Sequence, residues 1–167
     1  VDKNNLQEVV FQLGDSSFFY EQRTGINLPT DRKFAYGKYE YPGTAIFTNE
    51  IITGMDNDSF VDFLYRGTLT DSNPSGYKVY TIIAEYNPAI NNFQKVWKTQ
   101  LWYESAIGGY DAGDYDGDSN MNFLASGMNG QIWVGETIGD NQYTINWKDS
   151  LPGFVNLLYQ TSGDVDN

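Results

Sequence analysis

The chain has 167 residues, enough for one domain with a sizeable hydrophobic core. It carries 10 Lys and Arg against 22 Asp and Glu, a formal net charge of −12, which excludes a phosphate-binding nucleic-acid face and docking on an anionic membrane. With no cysteine and no histidine, disulfides, His- or Cys-ligated zinc, haem and iron–sulfur centres, and Ser-His-Asp catalysis are excluded as well.

The chain opens on VDKNNLQEVV, where Asp2, Asn4 and Glu8 are oxygen-bearing side chains with Lys3 among them. This start does not read as a signal peptide. Short runs rich in Val, Ile, Tyr and Phe follow at Glu8–Leu13, Ser17–Glu21, Lys33–Glu40 and Ala45–Ile52, and each predicts a strand. Next comes TGMDNDSFVDFL, from Thr53 to Leu64, with Asp56, Asp58 and Asp62. Strands are expected at Phe60–Arg66, Tyr77–Tyr86 and Phe93–Trp102, separated by breakers such as Asn73-Pro74 and Asn87-Pro88. The third acidic segment is GDYDGDSNMNFL, from Gly113 to Leu124. Beyond it, strands are expected at Met121–Ser126, Gln131–Glu136, Gln142–Trp147 and Val155–Thr161, and SGDVDN from Ser162 ends the sequence. No segment sustains a helical period, and no apolar run is long enough for a membrane span.

The segment Gly113–Leu124 carries the clearest chemistry. Asp114, Asp116 and Asp118 stand at alternate positions, with Gly117 between the last two and Asn122 four residues beyond Asp118. A tight turn points alternate side chains inward, and Ca²⁺ takes six to eight oxygens at short range. Without a cation, three such carboxylates repel one another. The alternative of a plain Asp/Gly/Asn turn leaves that repulsion uncompensated. An EF-hand fits less well: the glycine comes two places early, Ala125 stands where a bidentate Glu belongs, and no flanking helices are predicted.

The acidic segments recur. From Asp2 to Asp56 is 54 residues, from Asp56 to Asp116 is 60, and from Asp116 to Asp166 is 50. Each interval holds about four strands. The expected fold is therefore all-β, built from four-stranded antiparallel units of a propeller or solenoid.

The pattern G-D-x-D-x-D-x-x-x-[DN]-[LF]-L, then a short strand and an aromatic-rich strand, resembles the FG-GAP/VCBS repeats of integrin-like β-propellers. The resemblance spans nearly the whole chain as three repeats, approximately 1–53, 54–113 and 114–163, with the start of another at 164–167. It implies about three blades of a larger or completed ring. It also implies that each loop joins two strands of a blade and holds Ca²⁺. The implied ligands are Asp114, Asp116, Asp118, Asn120 by its carbonyl, and Asn122. At a second, weaker site they are Asp56, Asp58, Phe60 by its carbonyl, and Asp62. Asn122 replaces the family's carboxylate with a neutral oxygen, and Gly54 stands where the second loop needs its first ligand.

Aromatic clusters at Phe18-Phe19-Tyr20, Tyr36, Tyr39, Tyr41, Trp97, Trp102 and Tyr103 fit either a sugar-binding face or packing between blades. Alternation favours packing, as where Tyr143, Ile145 and Trp147 interleave with Thr144 and Asn146. No carboxylate pair stands out for glycoside hydrolysis. Tyr36, Lys38 and Tyr39 remain candidates for acid–base chemistry of the polysaccharide-lyase kind. The sequon Asn57-Asp58-Ser59 falls inside the second loop and reads as chance. The function expected from all of this is a secreted or cell-surface bacterial module for adhesion or scaffolding, non-catalytic and calcium-bound. Its partner would be a protein or glycan, with self-association through open blade edges. The alternatives are the propeller part of a carbohydrate-active enzyme or a structural subunit of an extracellular assembly.

Overall fold

The computed structural model describes residues 6–14, 16–23, 28–37, 44–69, 78–100, 109–126 and 130–152. Asp2 and Asn4 of the first expected loop, the loop at Ser162–Asn167, the strand Val155–Thr161, and Lys38, Tyr39, Tyr41, Trp102 and Tyr103 lie outside these residues, whereas Glu8 of the first loop begins a strand.

The described residues form eleven strands and no α-helix. The first sheet holds β1 (Glu8–Leu13), β2 (Ser16–Gln22) and β3 (Pro29–Gly37). The second holds β4 (Thr44–Thr53), β5 (Val61–Leu69), β6 (Lys78–Asn87) and β7 (Asn92–Gln100). The third holds β8 (Tyr110–Gly113), β9 (Asn122–Ser126), β10 (Gln131–Gly139) and β11 (Gln142–Ser150). Each sheet is an antiparallel meander in chain order. The all-β, antiparallel expectation holds. Two sheets have the four strands expected; the first has three among the described residues.

The sheets stack face to face, and the alternation of side chains along each strand assigns the faces. Phe63, Tyr65, Ile82 and Phe93 of the second sheet bury against Phe19 and Tyr36 of the first, with Val10 and Phe34 beside them. On the opposite face, Leu64 and Ile83 bury against Tyr110, Phe123 and Tyr143 of the third sheet, with Trp97 packed in. Ring contacts fill both layers: Phe19–Phe93 at 5.2 Å and Phe34–Phe93 at 5.8 Å on one side, Trp97–Phe123 at 5.6 Å and Trp97–Tyr143 at 5.7 Å on the other. Buried Arg66 reaches from β5 to the Ser126 carbonyl and lies over the Tyr110 ring, tying the second sheet to the third. Phe19, Tyr36 and Trp97 are thus packing residues. Tyr36 is buried with its hydroxyl bonded to Tyr65 at 2.9 Å, out of reach of a substrate.

A register shift recurs at the same place in every sheet. It falls between Phe19 and Tyr20, between Ile83 and Ala84, and between Val134 and Gly135. The extra residue turns Phe34, Trp97 and Trp147 onto the face of the aliphatic or aromatic residue opposite each of them. It also corrects the expected alternation in β11. Tyr143 and Ile145 point to the second sheet, but Trp147 pairs with Val134 and faces away, 49% exposed.

Gly135 is fixed by packing. A Cβ there would lie 2.1 Å from Cζ of the fully buried Phe123 ring. Gly135→Ala is therefore expected to destabilise by about 1–3 kcal/mol through overpacking, read as a lower urea midpoint at unchanged slope.

Candidate metal centres

Both central acidic loops are the first connection of their sheet. Residues 54–60 join β4 to β5, and residues 114–121 join β8 to β9. They are built alike, 60 positions apart. The Met55 N–H donates to Asp62 Oδ2 at 2.9 Å, and the Tyr115 N–H donates to Asn122 Oδ1 at 2.8 Å. The Phe60 N–H donates to Asp58 Oδ1 at 2.6 Å, and the Asn120 N–H to Asp118 Oδ1 at 2.7 Å. Asn57 and Gly117 occupy the same left-handed corner, at φ 63° and 77°. Glycine and asparagine tolerate that region best, which explains why these two types stand there. The loops also touch: Asn57 Nδ2 donates to the Ser119 carbonyl at 3.4 Å.

In the third-sheet loop, carboxylate oxygens of Asp114, Asp116 and Asp118 converge within 4.8 Å of one another, all three side chains exposed. Asp114 also shapes the turn, accepting from the N–H groups of Gly117 (2.8 Å) and Ser119 (3.0 Å). The Asn122 side chain is buried at the loop base. The Asn120 side-chain amide donates to Asp118 Oδ2 at 2.9 Å.

The second-sheet loop gathers more than its own residues. Asp56 and Asp62 converge with Glu85, and Asp58 converges with Glu85 and Asp140, again within 4.8 Å. Sequence spacing misses Glu85 and Asp140. Glu85 stands at the end of β6 directly opposite Asp62 in the β5–β6 register, and Asp140 comes from the β10–β11 turn of the next sheet. That turn is held over the loop. The Asn141 N–H donates to Asp56 Oδ2 at 2.8 Å, Asn141 Nδ2 to Glu85 Oε1 at 3.3 Å, and Thr137 Oγ1 to the Met55 carbonyl at 2.8 Å. The Tyr143 hydroxyl lies 3.5 Å from Asp62 Oδ1. Phe60, expected to contribute its carbonyl, has a side chain 37% exposed at the loop's outer end.

Burial and like charge both act on the second-sheet cluster. Burial pushes the Asp62 carboxyl up from 3.8 to about 7; the neighbouring Asp56 charge adds to this, and the Met55 hydrogen bond opposes it. Glu85 is raised as well, first by burial, with the hydrogen bond from Asn141 opposing and the Asp58 and Asp56 charges adding. Among the described residues no lysine or arginine pairs with any of these carboxylates.

The donor set fits a hard divalent cation. It consists of oxygens throughout: the carboxylates of Asp56, Asp62 and Glu85 in one group and of Asp58, Glu85 and Asp140 in another that shares Glu85. Glu85 Oε2 and Asn141 Oδ1 are buried and accept no hydrogen bond. A buried acceptor left unpaired costs roughly 1–3 kcal/mol, which a bound ion would remove. The exposed triad of the third sheet suits the same kind of ion, with fewer protein ligands and more water.

Comparison of the chain with protein-family models, with curated proteins and with solved structures finds no match.

Proposed function

We propose that the protein is a calcium-stabilised, non-catalytic module for adhesion or scaffolding outside the cell, its sheets being consecutive blades of a propeller of the FG-GAP/VCBS kind. One observation supports it above the others: two acidic loops of the same construction occupy the same connection in successive sheets, and among the described residues no basic side chain neutralises either. In this role Asp114, Asp116 and Asp118 hold one ion, with the Asn120 carbonyl and Asn122. Asp56, Asp58, Asp62 and Glu85 hold another, with Asp140 from the next sheet. Each ion neutralises a cluster that otherwise repels itself, and it fixes the turn that starts a sheet. The second ion also bridges two sheets, so calcium would set how firmly they dock. Extracellular modules bind calcium in the millimolar range, and a site of that strength would fill only where calcium is abundant.

Thermal unfolding in chelator and in calcium tests the proposal. At a hundredfold excess over Kd one site contributes about 2.7 kcal/mol, a rise of about 5–10 °C for a domain of this size. Asp116→Ala is expected to remove the third-sheet site and leave the calcium-free melting temperature within about 1 °C, since Asp116 is exposed. For the adhesive role, binding to arrays of glycans and matrix proteins is compared in calcium and in chelator. Binding that is lost in chelator is expected. Turnover of a polysaccharide in the same screen would move the assignment to a carbohydrate-active enzyme.

A further inference from the structure

The two interfaces between the sheets are copies of one another. In the first sheet Val10, Phe19 and Phe34 stand side by side across β1, β2 and β3. In the second sheet Leu64, Ile83 and Trp97 do so across β5, β6 and β7. The first row packs on the second sheet and the second row on the third. What receives them is also repeated: Phe63 and Phe93 receive Phe19, and Phe123 and Tyr143 receive Trp97. Thus every sheet has a row face that looks forward in chain order and a receiving face that looks back.

Among the described residues, each of the outer two sheets leaves one of these faces partly exposed. On the third sheet Leu124, Val134 and Trp147 form the same three-strand row across β9, β10 and β11. It looks outward, with Trp147 49% exposed. On the first sheet the receiving face carries Val9, Phe11 and Tyr20, alternate to the inward Val10 and Phe19. Phe11 is 53% exposed and Leu13 72%. Val9 corresponds to Phe63 and Phe123 by the spacing of the rows, 54 and then 60 residues. The charges at the two ends are complementary as well. Exposed Arg32 stands opposite Tyr20 on the first sheet, and exposed Asp149 stands opposite Ile132 on the third.

We propose that copies of this chain associate head to tail, the row face of the third sheet of one copy packing on the receiving face of the first sheet of the next. The occupant follows from the sequence itself, because each half fits the face that its equivalents already fit inside the chain. Such a contact is heterologous. It closes into a ring if the rotation per copy permits and otherwise grows as a filament. It uses sheet faces, distinct from association through open strand edges, and it needs no metal.

Sedimentation of the 167-residue chain over a wide concentration range, in calcium and in chelator, should give masses above the 18.9 kDa of one copy. Phe11→Asp and Trp147→Asp should each give monomers. Mixed in equal amounts they should form a dimer, since the first variant keeps an intact row face and the second an intact receiving face. Leu13→Asp, at a still more exposed position, and Val134→Asp, in the same row as Trp147, form a second pair should either first variant fail to fold. A wild-type chain that stays monomeric at all concentrations would overturn the proposal and leave the faces to a different partner. A mixture that stays monomeric while the wild type associates would overturn it too, because the contact would then not join these two faces.

Discussion

Asp62→Asn is expected to raise the melting temperature of the calcium-free protein above pH 7 and to reduce its calcium stoichiometry by one site. Asp62 is fully buried and its carboxyl is raised to about 7, chiefly by burial. An acid whose folded pKa is raised stabilises the fold below its unfolded pKa, and that contribution is lost as pH rises through the folded value. The calcium-free wild type should therefore be more stable near pH 5 than near pH 8. Roughly 2–4 kcal/mol of that difference belongs to Asp62, somewhat less where water relaxes the site. The amide carries no charge and still accepts from Met55 N–H. Asn122 already makes the equivalent bond with Tyr115 at 2.8 Å, so the turn tolerates the substitution. Calcium must also displace the protons on Asp62 and Glu85, so wild-type affinity should fall as pH drops through 7. Calorimetric melting of both proteins at the two pH values checks the prediction. A variant less stable than wild type at every pH would refute the electrostatic explanation.

Phe63→Ala is expected to cost about 3–5 kcal/mol, a large fraction of the roughly 5–15 kcal/mol that holds a domain together. Phe63 is fully buried between the first and second sheets, with ring contacts to Phe19 (5.9 Å), Tyr36 (6.2 Å), Tyr65 (5.2 Å) and Phe93 (5.4 Å). Truncation opens a cavity walled by rings on two sheets, which cannot collapse without moving one sheet against the other. Phe11→Ala removes the same chemistry from an exposed position and should cost under about 1 kcal/mol. Urea unfolding of the two variants separates them. Similar costs would contradict the assignment of the core to the face between these sheets.

Much of the fold was legible in the residues because the strands are short, antiparallel and rich in β-branched and aromatic side chains. Residue pattern marks Glu8–Leu13 to its ends, and the other expected strands among the described residues within a few residues. β8 was missed. It is four residues, Tyr-Asp-Ala-Gly, with one good strand former, and it exists through its pairing with β9. The face of Trp147 was also hidden, because a bulge changes parity without marking the sequence. The acidic loops are legible as local spacing, and the two described ones share their hydrogen bonds at a 60-residue offset. Spacing makes the second loop look poorer, because it shows only the loop's own residues. Glu85 and Asp140 reach it through strand register and sheet stacking, which lie 23 and 78 residues beyond Asp62 in the chain. One signal was available: once β5 and β6 are paired, two carboxylates stand directly opposite, an arrangement that is unfavourable without a cation.

Diffraction from crystals grown in millimolar calcium, with anomalous differences recorded, bears most directly on the central claim that these carboxylates cage a divalent ion. The expected result is a peak between Asp114, Asp116 and Asp118 and a second among Asp56, Asp58, Asp62, Glu85 and Asp140. A map with neither peak, the carboxylates instead protonated or turned to solvent, would contradict it.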